Sequence, residues 1–197
     1  FDICSRALVL VSANTITSFN DNNTESKVAN QLYESTLKNL LTRCRWRFAT
    51  KQQQLSRDTT APTARYDAKY PLPADALVIN TVTISDNVIT YDRYENEIYC
   101  DATSTDIVVA DYTFRPNEAD FPPYFTSALV FELASLFAGA IARNDSLSQL
   151  YQSRAVVAMA QAKSQDSQAQ TTRRVEVDRF RNRRNTGAMT VKATVQS

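Results

Sequence analysis

The spacing of apolar residues divides the chain into stretches of two different periods. From Asp2 to Val11, Ile3, Ala7, Leu8, Leu10 and Val11 form a short helical stripe, with Asp2 as its expected cap. Ser18 to Thr24 is dense in Asn, Asp and Ser, which is turn chemistry, and Asn23 or Thr24 is placed to cap a second helix. Val28, Leu32, Leu37, Leu40, Leu41 and Cys44 then recur at helical spacing and predict an amphipathic helix from Glu25 to Arg45.

After Trp46 the period shortens. The stretch from Ala76 to Phe114 is rich in β-branched and aromatic residues with short turn signals between them, and Gln52 to Ser56 is grouped with it as outside the helical pattern. Strands are expected near 77–84, 87–92, 96–100 and 106–114, with Ser85-Asp86-Asn87 as a tight turn and Asp101 to Thr105 as a loop. Pro62, Pro71 and Pro73 keep the approach to this sheet extended. One small antiparallel meander between two helical halves is the simplest arrangement.

Helical spacing resumes at Phe121-Pro-Pro-Tyr-Phe, where proline suits a first turn, and continues through Leu129, Leu133, Leu136, Phe137, Ala140 and Ile141. Nearly every face is apolar, as in a helix enclosed by its neighbours. Asn144-Asp145-Ser146 caps a further helix from Leu147 to about Gln168, whose later half is Ala, Gln and Ser and has little to bury. The expected fold class is therefore α+β: a mostly α-helical bundle of about four helices with an inserted small antiparallel β-sheet and an extended basic C-terminal arm. In domain terms, 1–48 plus 121–170 form the helical bundle, 49–120 the inserted β-rich region, and 171–197 the arm.

Composition sharpens this picture in three ways. At 197 residues and 43% apolar content, the chain can bury one ordinary core and a small subdomain. Its 22 basic and 21 acidic residues nearly cancel, but not evenly. Residues 171–197 carry seven Lys and Arg against Glu176 and Asp178, leaving 15 basic against 19 acidic in 1–170, so arm and body have opposite signs. Cys4, Cys44 and Cys100 make no CxxC pair and no even disulfide set, which favours a reducing compartment. No signal peptide opens the chain, and Phe1 in place of Met implies residues upstream. Ala128 to Ile141, interrupted by Glu132, reads as too short to span a bilayer.

Candidate chemistry is sparse. Histidine is absent, which removes the commonest general base and zinc ligand, and two glycines, Gly139 and Gly187, build neither a phosphate loop nor a dinucleotide fingerprint. No catalytic, cofactor-binding or metal-ligating set emerges, and the chain reads as a non-enzyme without cofactors. Asp86, Asp92, Glu95, Glu97 and Asp101 can be read as a cation site or a glycosidase pair. The simpler reading makes Asp92, Glu95 and Glu97 solvent-facing partners of inward Tyr91, Tyr94 and Ile98. Trp46, beside Arg45 and Arg47, can stack on nucleic acid, but covering the junction of helix and sheet is the simpler role.

The least ordinary feature is Arg173, Arg174, Arg179, Arg181, Arg183 and Arg184, six arginines within twelve residues. Arginine pairs in bidentate fashion with carboxylates or phosphates. Interleaved Val175, Val177 and Phe180 supply apolar anchors, which a merely solubilising tail does not need. Two uses fit: docking on another protein, or binding the phosphates of a nucleic acid.

Several segments, taken in order, resemble one family. Asp2-Ile-Cys-Ser-Arg-Ala-Leu8, Ile16-Thr-Ser-Phe19 and the Glu25 to Arg45 helix ending in Cys44-Arg-Trp-Arg-Phe48 resemble the amino-terminal half of the head-to-tail adaptors (tail tubular protein A-like) of short-tailed bacteriophages. Tyr70-Pro-Leu-Pro-Ala-Asp-Ala-Leu77 is similar to their Leu-Pro-x-Asp approach to the sheet, and Phe121-Pro-Pro-Tyr-Phe-Thr-Ser-Ala-Leu129, with Leu133 and Ala134, to their central helix. The likeness covers most of residues 2–165. Where such proteins usually carry a glycine after the first helix, this chain has Ser12-Ala13.

The resemblance implies a structural virion protein, made in the host cytoplasm, that forms a ring of twelve subunits between the portal of the head and the tail nozzle protein. Double-stranded genomic DNA passes through such a ring without sequence-specific binding, and no membrane is involved. Adaptors of this kind hold the portal through extended carboxy-terminal segments, which gives Arg173, Arg174, Val175, Val177, Arg179, Phe180, Arg181, Arg183 and Arg184 the role of a portal-docking arm. The rival reading is a nucleic-acid-binding module that uses the same arm.

Overall fold

A computed structural model describes residues 1–63 and 65–169. It is α+β: helices α1 (Asp2–Leu10) and α2 (Thr24–Thr42) precede seven strands, and α3 (Pro123–Ala140) and α4 (Asp145–Gln168) follow them. The strands are β1 (Thr50–Gln54), β2 (Ala68–Pro71), β3 (Ala76–Ile84), β4 (Asn87–Val88), β5 (Asp92–Tyr94), β6 (Glu97–Cys100) and β7 (Val108–Phe114).

Two of the helices begin where the sequence supplies a side-chain partner for a free backbone N–H. Asn23 accepts from the Ser26 N–H at 2.7 Å and Asn144 from the Leu147 N–H at 3.0 Å. α1 differs from expectation: Asp2 is its first helical residue, where a carboxylate favours the positive end of the helix, and Phe1 occupies the cap without a side-chain bond. Its other end is a Schellman motif, with Ala13 N–H bonded to Leu8 O and Ser12 N–H to Val9 O. Ser12 takes φ +58°, the left-handed conformation for which glycine is the usual residue.

Helix burial follows one stripe per helix. Ile3, Cys4, Ala7 and Leu8 of α1, and Ala29, Tyr33, Leu37, Leu40 and Leu41 of α2, face a shared apolar core with Phe125, Leu129, Leu133 and Phe137 of α3. Val28 and Leu32 sit at its margin, and Cys44 lies beyond the end of α2. α3 is the central element, contacting α1, α2 and α4. With 18 residues it is long and apolar enough by length and composition to cross a membrane, contrary to the shorter stretch read from sequence; half of it is buried inside this fold. α4 lays Tyr151, Ala155, Met159, Ala162 and Asp166 against its neighbours, the alanines allowing close approach.

The strands do not form one meander. They form two antiparallel sheets, in the orders β1-β7-β3-β4 and β2-β6-β5. β7 takes the centre of the larger sheet, pairing Thr113 with Thr50 on one side and Val78 on the other. Residues 68–71, expected to be only extended, become an edge strand paired with β6, where Pro71 has no N–H to offer. The expected strand 87–92 is broken into β4 and β5. Ser85 and Asp86, at φ +48° and +64°, make the two-residue turn between Ile84 and its partner Asn87. A second apolar core, including Tyr70, Val82, Ile98, Cys100, Val108 and Ala110, is drawn from strands of both sheets.

Candidate interaction surface

Trp46 stands where α2 gives way to β1, and it is fully buried. Its indole Nε1–H donates to Leu40 O at 2.9 Å, and its ring meets Phe125 edge-on at 5.1 Å and Phe48 at 5.9 Å. The ring is therefore committed to the helical core and offers no face on which a base can stack.

The same junction is tied to the last turn of α4. The Asp166 carboxylate, buried at 5% exposure, accepts the Arg47 backbone N–H at 3.1 Å and the Tyr124 hydroxyl at 2.8 Å. A buried carboxylate is costly unless it is hydrogen-bonded, so this latch fixes one position of the α4 end relative to α2 and α3. Burial, then the Asp166 hydrogen bond, pushes the Tyr124 hydroxyl up to about 12. The pattern of sequence did not reveal this site; a lone Asp in a run of Ala, Gln and Ser gives no sign that it turns inward.

Of the carboxylates singled out in the sheet region, Asp92 and Glu97 are held by separate neighbours. Asp92 accepts from the Tyr66 hydroxyl and lies 3.6 Å from the Arg65 guanidinium. Glu97 accepts from the Tyr99 hydroxyl at 2.9 Å and shares Lys69 with Asp58. Among the described residues, no group of three or more His, Cys, Asp or Glu is placed to hold a metal ion. Ile98 points inward as expected and Tyr91 packs at the margin of the sheet core, but Tyr94 is 47% exposed, stacking edge-on over Tyr99 at 5.2 Å. It stands on β5, a three-residue strand at the edge of the smaller sheet.

The three thiols are unpaired. Burial pushes Cys4 up to about 12 and Cys100 up to about 11, and raises Cys44 as well, so each is held in its less nucleophilic, protonated form at neutral pH.

The outer side of α4 is more open. Leu150, Arg154, Val157 and Gln161 follow one another at helical spacing, and with Phe131 of α3 they line an apolar groove of about 320 Å³. Leu150 is 45% and Val157 57% exposed. Phe131 stacks on Tyr151, and the Arg154 guanidinium lies over the same Tyr151 ring. The small side chains of this helix hide the groove in the sequence. The signal that could have found it is the seven-residue spacing of Leu150 and Val157, which puts two large apolar groups on one side.

The expected docking residues Arg173, Arg174, Val175, Val177, Arg179, Phe180, Arg181, Arg183 and Arg184 lie outside the described residues. The chain matches no protein-family model. No curated protein matches it either.

Proposed function

We propose that this chain is a head-to-tail adaptor of a short-tailed bacteriophage, a structural subunit of a twelve-membered ring between portal and tail nozzle. On this reading the four helices act as the bundle that makes ring contacts, the two sheets face the next tail component, and the segment 171–197 is the portal-binding arm.

One observation carries the reading. The helix that leads into the arginine-rich segment is 24 residues long, and a buried carboxylate latches its last turn to the rest of the fold. About 36 Å of rigid helix thus delivers the segment from a fixed point. A segment used for docking in many copies gains from such an anchor, because a fixed origin raises its effective concentration at the partner surface. The ordered likeness of segments between Asp2 and Ala134 supports the same reading.

Electron cryomicroscopy of the full chain mixed with the portal protein of the same virion tests it. A stacked ring on the portal is the expected result, with portal affinity lost when the six arginines from Arg173 to Arg184 are changed to glutamine. Binding to duplex DNA that falls steeply with salt, without portal binding, replaces the adaptor with a nucleic-acid module.

A further inference from the structure

We propose that the groove between α3 and α4 seats a second copy of this chain: it receives the β3–β4 hairpin of the neighbouring copy, with Val88 against Leu150 and Val157 and Asp86 against Arg154.

Each half of this contact is incomplete in its own chain. The groove leaves Leu150 and Val157 in water, and Arg154 is its charged member. Among the described residues Arg154 has no carboxylate partner, only the Tyr151 ring beneath it. An arginine set among apolar side chains selects a carboxylate, because a docked partner excludes the water that otherwise screens the pair.

The hairpin carries the complement. Val88, paired with Thr83 across the ladder, is 73% exposed, the highest value of any large apolar side chain among the described residues. Asp86 lies two residues before it in the tight turn, exposed and likewise without a partner among the described residues. At the same end of the sheet the exposed Ile107 lines a hollow of about 340 Å³ together with Asp86 and Asp106. An apolar and acidic knob thus stands on one part of the fold, and an apolar groove with one unpaired cation on another. The signs are opposite and the apolar surfaces match, which favours this pairing over groove against groove, where two Arg154 side chains would meet.

One chain does not satisfy itself. α4 contacts none of the seven strands, so the knob that fills a groove comes from another copy. A contact between two unlike patches is heterologous: each copy offers one patch to the copy ahead and the other to the copy behind, and the series closes where the rotation permits. The contact supplies the subunit interface of the proposed ring and rests on that reading. It uses one corner of the larger sheet and leaves the rest of both sheets, and the segment 171–197, for other partners.

Directed cross-linking tests it. Full-length Val157→Cys and Val88→Cys chains are mixed in equal amounts, alone and with the portal protein, oxidised mildly, and digested for mass spectrometry of the linked peptides. The 88–157 link is expected to exceed both the 88–88 and the 157–157 links about tenfold. Asp86→Arg in the Val88→Cys chain, or Arg154→Asp in the Val157→Cys chain, should each lower the 88–157 yield about tenfold, and the two together should restore it. Both charged positions are exposed, so neither change threatens the fold. Links formed in the proportions of random collision overturn the contact, and so does a dominant 157–157 link or a charge swap that fails to restore the yield. A ring seen on the portal without the 88–157 link overturns this contact and leaves the adaptor reading standing. The 88–157 link in a chain that does not bind portal upholds the contact and sinks the adaptor reading.

Discussion

The helical part and the sheet part of this protein are held together by different means. Around α3 the largest buried side chains are Trp46, Phe125, Phe137 and a set of leucines, and the rings of Trp46, Phe48, Phe121 and Phe125 meet edge-to-face or tilted. In the core between the sheets the largest are Tyr70 and Ile98, and Tyr112 of β7 is buried as well, with its hydroxyl hydrogen-bonded. The Tyr112 hydroxyl lies 3.0 Å from both Gln53 and Asp75, and Asp75 in turn holds Lys51 at 2.7 Å. β3, the longest strand, is only half-buried at eight of its nine positions. The helices are therefore joined mainly by packing, and the sheets by strand pairing and polar ties that involve particular partners. A region of the first kind is sensitive to lost volume, one of the second kind to lost partners or altered protonation.

The widest gap between the two should appear on making a cavity. Phe125→Ala is expected to cost about 3–5 kcal/mol, read from urea denaturation, since Phe125 is fully buried among Trp46, Phe48 and Phe121. A loss below about 1.5 kcal/mol would mean that the helical core collapses readily around the gap, which removes the contrast.

Next in size is Asp166→Ala, at about 2 kcal/mol, because it strands the Arg47 N–H and the Tyr124 hydroxyl. Amide exchange of the last two turns of α4 should accelerate with it; unchanged exchange would show that packing alone holds that helix end. In the sheet core, Ile98→Val should cost only about 1 kcal/mol. An equal loss for Ile98→Val and Phe125→Ala would erase the distinction between the regions.

Protonation supplies a smaller and more selective effect. Burial, followed by the Asp75 hydrogen bond, pushes Tyr112 up to about 12 from its ordinary 10.0. The folded chain therefore keeps a proton that the unfolded chain releases between these values, so stability is intact below pH 10 and falls as pH rises toward 12. Tyr124 adds a second such group in the helical part. At the acid end the sign reverses: the Lys51 hydrogen bond holds Asp75 below the usual carboxylate range, and its contribution is lost as pH falls through that lowered value. Denaturation midpoints measured from pH 9 to 11.5 should decline less steeply in Tyr112→Phe than in the parent protein. Parallel slopes would assign the alkaline loss to other groups. Smallest of all is a gain: Ser12→Gly should add about 0.5–1 kcal/mol by relieving a left-handed serine, and a melting temperature that drops instead would show that the serine side chain is needed there.

The same contrast explains what could be read in advance. The four helices were legible because 3.6-residue spacing and Asn caps are local signals, and Asn23 and Asn144 stand where such signals put them. Strand pairing is not local. Lys51-Gln-Gln-Gln54 is polar throughout, and only the free edge of β7, more than fifty residues later, makes it a central strand's partner. The expected strand 87–92 is instead divided into β4 and β5, while the turn expected between 92 and 96 falls at Glu95, φ +52°, where no glycine marks it. Of the candidate surface, the arginines and their apolar neighbours were visible as composition. The groove was not, because it needs Phe131 from one helix beside Leu150 and Val157 from the next.

The central place of α3 also bears on how the chain is made. Both α1 and α2 find most of their apolar contact on a helix that begins at residue 123, while they touch each other far less. On a ribosome adding roughly 5–20 residues per second, the stripe of α1 waits on the order of ten seconds for its partner. During that interval Ile3, Leu8, Leu37 and Leu40 are open to chaperones or to other nascent chains. Synthesis in many adjacent copies therefore places a premium on holding the first forty residues apart until the last third of the protein has emerged.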